Sequence, residues 1–334
     1  MLARSAASPL PATDASPWCA VVVLGAGRSG TSAVARGLGA LGIELGDRLR
    51  RGGGKNPTGF FEDRDLIAIT NRLKRHLGLW GGSVSLIEAA EWQAPAVQEL
   101  REDAAATIRR RFGDRPLWAF KHGRTLRFLP FWEDVFRSLE LDVRYVVATR
   151  NPLSIARSRG ALDPRRGVQT RSDLEWLVNV VPYFRLVRDR RFVVLDYDDL
   201  IAEPRAALER IGSVLGLPVS PEIGRAMEDY ARDFLQLDRR HSHFSERDLE
   251  QSGVHELVRS AYGWLRRLAA DEAAVRSADL WREWQRIEDG VAALAPVLRH
   301  LDRVEGELWR AQWNPASPVA AAAGLWRKLR DRWP

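Results

Sequence analysis

A chain of 334 residues, 45% hydrophobic and 28% charged, has enough apolar material for a full core. This excludes a globally disordered chain and leaves room for one large α/β domain or one domain with a helical appendage. A formal charge of +7 favours an anionic ligand, although most of the basic side chains are arginines spread along predicted helices, where pairing with nearby carboxylates is the ordinary outcome. The single cysteine, Cys19, excludes an intramolecular disulfide and a cysteine-only metal site, and no stretch approaches the roughly 20 apolar residues of a spanning helix.

Residues 1–17, rich in Ala, Ser and Pro, read as a disordered N-terminal segment, so the fold is expected to start near Trp18. The run Ala20 to Leu24 is a buried parallel strand by its β-branched content, stopping at Gly25, with a helix following from Gly30 to about Leu41. Residues 46–59 have the Gly, Arg and Lys content of an exposed loop. Apolar periodicity over 63–77 and 95–112 then predicts two amphipathic helices. Further strands are expected at 117–120, 143–149 and 192–197, separated by helices through Leu129 to Val135 and over about 172–188. Crossovers of this length imply a parallel sheet with helices on both faces. The segment 198–230 reads as helical, opening near Glu203 and Pro204. Beyond residue 246 the chain shows only helical stretches carrying Trp264, Trp281, Trp284 and Trp309, more consistent with helix packing than with a ligand platform. The expected organisation is thus a catalytic domain over 18–245 and a helical C-terminal extension over 246–334.

Strand, then Gly25-Ala26-Gly27-Arg28-Ser29-Gly30-Thr31-Ser32, then helix is an arrangement that aims backbone N–H groups and a helix dipole at an anion. The spacing follows the P-loop pattern except that Thr31 stands where a nucleoside triphosphatase needs lysine, and the cationic charge sits at Arg28 inside the loop. At the end of the third strand stands Arg150-Asn151-Pro152, with Ser158 eight residues after Arg150. A guanidinium fork there donates to phosphate oxygens in pairs, and a hydroxyl on the following helix completes the shell. Ligands of parallel sheets lie beyond the strand C-termini, where both groups fall.

These two motifs resemble those of the nucleotide-dependent sulfotransferases. Arg28-Ser29-Gly30-Thr31-Ser32 is similar to the family's 5′-phosphosulfate loop, and Arg150 with Ser158 to its 3′-phosphate clamp. The resemblance spans about residues 18–245. It implies a P-loop nucleotide-kinase-like α/β fold, 3′-phosphoadenosine 5′-phosphosulfate as co-substrate, no metal, and Tyr197 beside the adenine. Gly59-Phe60-Phe61-Glu62 resembles a segment that supplies the general base in bacterial and glycan-directed members, making Glu62 the first candidate, with flanking Phe60 and Phe61 expected to raise its pKa by desolvation. Capping of the next helix by Glu62 and Asp63 is the competing expectation. Lys121-His122-Gly123-Arg124 looks like the family's Lys-x-Pro-Arg. By the resemblance Lys121 stabilises the leaving oxygen or holds the substrate, Arg124 does the same for an anionic acceptor, and His122 is the second candidate base. The basic stretch 237–243 resembles a loop that closes over the donor, with Arg240 as the nucleotide contact.

The expected activity is therefore sulfuryl transfer to a hydroxyl or amine acceptor, a carbohydrate by resemblance, in a cytoplasmic protein with no nucleic-acid partner and no transmembrane segment. The alternatives are an ATP-dependent P-loop kinase and a catalytically silent nucleotide- or polyanion-binding protein. Acceptor and oligomeric state are not legible.

Overall fold

The computed structural model describes residues 18–50, 52, 59–217, 220–234 and 244–313. Its centre is a parallel sheet of β1 (Cys19–Leu24), β2 (Leu117–Lys121), β3 (Asp142–Thr149) and β4 (Arg191–Asp196), in the order β2-β1-β3-β4. β1 is buried along its whole length because it lies between two neighbours and is covered on both faces, which is why its sequence is a continuous apolar run.

Side chains alternate across the pleat and divide the core in two. Ala20, Val22 and Leu24 point to one face, with Phe120, Tyr145 and Val194. That face is covered by α2 (Arg64–His76), α3 (Pro95–Phe112), α4 (Leu129–Ser138) and α7 (Gln169–Phe184). Val21 and Val23 point to the other, with Ala119, Val146 and Leu195. There they meet α1 (Thr31–Ala40), α8 (Tyr197–Ala202), α9 (Pro204–Leu215) and α10 (Pro221–Asp229). The sheet with helices on both faces predicted from the long crossovers is therefore present.

α5 (Pro152–Gly160) and α6 (Pro164–Gly167) form the connection from β3 to α7. The chain leaves β1 toward β2 on one side, then returns to place β3 on the other, so β1 and β3 flank a switch point in strand order, and the loops at their C-terminal ends open the crevice where ligands of such sheets bind.

Two boundaries differ from the sequence expectation. The segment 198–230 is broken by Gly216, which closes α9 in the left-handed conformation at φ 62°, so that α10 starts afresh at Pro221 with Ser220 as its N-cap. The long helix begins at Gln169 rather than near 172 and ends at Phe184.

Past residue 245 come α11 (Glu246–Glu250), α12 (Glu256–Ala269), α13 (Ala278–Ala293) and α14 (Ala295–Trp313), with no strand among the described residues. Trp264 and Trp284 lie 4.6 Å apart by ring centroids, and Phe184 of α7 is 4.9 Å from Trp284 and 5.4 Å from Trp264. Fully buried, these indoles join α12 and α13 to the apolar cluster that covers β3 and β4, which makes them packing residues.

Candidate active site

The site is assembled at the C-terminal ends of the strands from four chain segments. The first is the turn after β1. Gly25 has φ 142°, and a Cβ there would stand 2.5 Å from the Ala148 carbonyl oxygen, so only glycine lets the turn cross the end of β3. Ser29 is buried. Both its amide, at 3.2 Å, and its hydroxyl, at 2.6 Å, donate to the Ala26 carbonyl, so Ser29 closes the turn on itself. Helix α1 then starts at Thr31 with Gly30 as a left-handed N-cap and no side-chain cap. The first-turn amides have no acceptor within their own helix, and the dipole adds attraction for an anion. Thr31, where a lysine would serve a triphosphate, is buried beneath Gly25.

The second segment follows β3. Arg150 and Ser158 are 7% and 8% exposed, and the Arg28 Nε donates to Ser158 Oγ at 2.9 Å. The loop arginine therefore reaches the α5 hydroxyl, and the two predicted phosphate clamps are neighbours. Burial, followed by the Arg150 charge, pushes the Arg28 guanidinium below its ordinary value, as expected where two cations face one space. Asn151 caps α5 by accepting from the Leu153 amide at 3.0 Å. Its Nδ2 donates to the carbonyls of Phe244 and Ser245 at 3.0 and 3.2 Å, so the chain just after residue 243 is tied to the Arg150 turn. Arg240 itself lies outside the described residues, as do Arg51 and 53–58 of the basic loop.

The third segment begins at the end of β4. The Arg150 guanidinium lies 4.5 Å from the centroid of the Tyr197 ring, and a Cβ on Gly30 would come within 2.2 Å of that same ring, so Tyr197 joins the two clamps. Asp196 caps α8 through the Asp198 amide at 2.8 Å and accepts from the Tyr262 hydroxyl at 3.0 Å. Desolvation raises its pKa to about 6.

The fourth segment pairs Glu62 with Lys121. Lys121 is 4% exposed at the end of β2, and its Nζ donates to Glu62 Oε1 at 2.8 Å, to the Phe60 carbonyl at 3.0 Å and to Ser32 Oγ at 3.3 Å. One ammonium thus touches both the helix that opens the anion loop and the candidate base. Asp63, not Glu62, caps α2, accepting from the Asp65 and Leu66 amides, and this separates the two roles that the sequence left open between them. The expected rise in the Glu62 pKa is not what the surroundings produce. Burial does push it up, but Lys121, then His122 and Arg50, outweigh burial and hold the carboxyl below its ordinary value. The aromatic neighbour Phe60 is itself covered by the Arg50 guanidinium at 4.1 Å, so the apolar flank of Glu62 carries positive charge.

His122 follows Lys121, and burial lowers its pKa to about 4 despite the attraction of Glu62. Its ring is neutral near pH 7, and its Nδ1 has no hydrogen-bond partner among the described residues. Arg124 turns away, donating to the carbonyls of Trp80 and Gly81. Two further contributors were not legible in the sequence. Arg50 flanks Glu62 at 3.6 Å, and Arg159, 3% exposed on α5, donates to the Gly27 carbonyl at 3.4 Å. Neither carries a motif, and a helical arginine is ordinarily a surface residue.

No family model matches the chain, and no curated protein matches it. Among solved structures it is similar to a sulfotransferase from Mycobacterium avium at 16% identity and a TM-score of 0.39, covering 67% of this chain and 70% of that one. It is similar also to the sulfotransferase domain of a Synechococcus olefin synthase, at 15% identity, TM-score 0.40 and 84% and 97% coverage. A sulfotransferase from Mycobacterium tuberculosis is similar at 16% identity and TM-score 0.40, with 77% and 78% coverage.

Proposed function

We propose that this chain transfers a sulfuryl group from 3′-phosphoadenosine 5′-phosphosulfate to a hydroxyl or amine of a carbohydrate or other small acceptor. The observation that carries the proposal is the placement of Lys121 Nζ between Ser32 of the anion loop and Glu62, with the Arg28 and Ser158 contact linking that loop to the second cationic clamp at Arg150. Two cationic pockets that meet suit a nucleotide phosphorylated at both ends, and a base next to one of them suits transfer from that end.

In this reaction the acceptor oxygen forms a bond to sulfur while the bond from sulfur to the 5′-phosphate oxygen breaks. Glu62, ionised at neutral pH, takes the acceptor proton. Lys121 and the N-terminus of α1 face the negative charge that gathers on the departing phosphate, the kind of placement that lowers a barrier most because it is set before the reaction. His122, neutral and with Nδ1 lacking a partner among the described residues, is the second candidate for the proton.

A kinase using Mg·ATP remains the competing assignment, and buried Thr31 argues against it because the lysine of a triphosphate site is absent at that position. A thermal-shift comparison decides between them. Ligand stabilisation follows occupancy, reaching about 2.7 kcal/mol at a hundredfold excess over Kd, so 3′-phosphoadenosine 5′-phosphate should raise Tm well above Mg·ATP at equal concentration. Arg150→Ala should remove that preference with Tm of the free protein little changed. An equal or larger shift with Mg·ATP would sink the proposal.

A further inference from the structure

We infer that Arg159 is a positioning residue that sets the anion loop before ligand binds, by turning the peptide between Gly27 and Arg28; the inference rests on the donor assignment above. Arg159 Nη1 donates to the Ser172 carbonyl at 2.7 Å and to Ser172 Oγ at 3.0 Å, which anchors it to α7. Its Nη2 faces Glu175 at 3.8 Å and donates to the Gly27 carbonyl at 3.4 Å. A peptide is planar and trans, so its C=O and N–H point in opposite directions. With the Gly27 oxygen drawn back toward Arg159, the Arg28 N–H is turned to the opposite side of that peptide, away from α7. Arg28 holds φ 79°, a conformation that a residue with a side chain rarely adopts, within the turn that Ser29 closes on Ala26. The hydrogen bond from Arg159 holds the Gly27 carbonyl in that orientation.

Charge acts in the same direction. Glu175 serves two guanidiniums, since Arg166 Nε also donates to it at 3.1 Å. Arg171 and Asp173 also act on Arg159, with opposite signs, and Arg124 acts on Glu175, so cations outnumber carboxylates behind the loop. Burial lowers the Arg159 pKa to about 10, which leaves it protonated at neutral pH. Burying a guanidinium is costly unless its surroundings offset it. A positive charge fixed behind an anion loop is stabilised when the anion binds in front.

The test separates the two ends of the nucleotide. Arg159→Lys keeps the charge, but a single ammonium cannot hold Ser172 and Gly27 as a fork does. Its affinity for 3′-phosphoadenosine 5′-phosphate, measured by calorimetry, should fall about tenfold, the size of one charge-assisted hydrogen bond, with a smaller loss for adenosine 3′-phosphate through the Arg28 contact with Ser158. Ser172→Ala, which removes only the Oγ contact of the fork and leaves the charge, should weaken the bisphosphate by about threefold and adenosine 3′-phosphate less. Equal losses for both nucleotides, or no loss for either, would overturn the inference. A wild-type protein that binds adenosine 3′-phosphate as tightly as the bisphosphate would also overturn it, and wild-type protein that binds neither would overturn the donor assignment with it.

Discussion

At the scale of single residues, the decisive pair is Glu62 and Lys121, both buried and 2.8 Å apart. A carboxylate whose pKa lies below its ordinary 4.5 is always ready to accept a proton at neutral pH, at the expense of driving force. The acid limb of kcat/KM should therefore fall below about pH 4.5, and Glu62→Gln should lower kcat by about 10²–10⁴-fold while affinity for 3′-phosphoadenosine 5′-phosphate is kept. An unchanged kcat after Glu62→Gln would move the base to His122. The histidine has its own signature. Its pKa is lowered from 6.5 to about 4, so between those values the unfolded chain binds a proton that the folded one refuses. Stability due to the neutral ring is full above pH 6.5 and is lost as pH falls toward 4. His122→Gln should lower the slope of Tm against pH across that window, where the raised Asp196 acts with the opposite sign, and an unchanged slope would show that the ring is not held neutral.

At the scale of elements, the turn after β1, the Arg150 turn and the end of β4 act as one unit through Tyr197. Gly30→Ala brings a Cβ to 2.2 Å from Tyr197 Cδ2 at a residue with φ 87°, so both the ring and the helix start must move. The left-handed conformation alone costs a non-glycine residue about 1–2 kcal/mol. Removing the ring as well, in Gly30→Ala with Tyr197→Ala, should recover the part due to the clash. Additive losses in a double-mutant cycle of Tm and nucleotide affinity would show that the two residues do not meet. The elements themselves were legible because their signals are local: β1 is a continuous buried apolar run, Pro152 opens α5, and the glycines mark the turn. The break at Gly216 was missed because helical periodicity resumes after it. The pairing of Lys121 with Glu62 could not be read, since it joins residues 59 apart that only the sheet brings together. The direction of the Glu62 shift was missed for the same reason. Phe60 and Phe61 are visible in sequence, whereas the cations that outweigh burial come from β2 and from Arg50.

At the scale of the molecule, the helices after residue 245 bear on the site through α12. Tyr262 donates to Asp196 at 3.0 Å, immediately before Tyr197, and Arg266 approaches the same carboxylate at 4.0 Å. The indoles of α12 and α13 meanwhile pack on Phe184 in one cluster with β3 and β4. An apolar surface shared this way couples the unfolding of its parts, because exposing either face of it carries the hydrophobic penalty for both. Trp284, fully buried between Trp264 and Phe184, is the probe. Trp284→Ala leaves a cavity that should cost about 3–5 kcal/mol of global stability, and the loss should appear in a single transition. In denaturant, tryptophan fluorescence, to which six indoles before residue 245 and seven after it contribute, should then coincide with far-ultraviolet circular dichroism, which reports every helix, before and after the substitution. Two transitions, the first removing only part of the fluorescence and of the dichroism, would show that α11–α14 fold as an appendage whose contact with Asp196 is dispensable to the sheet.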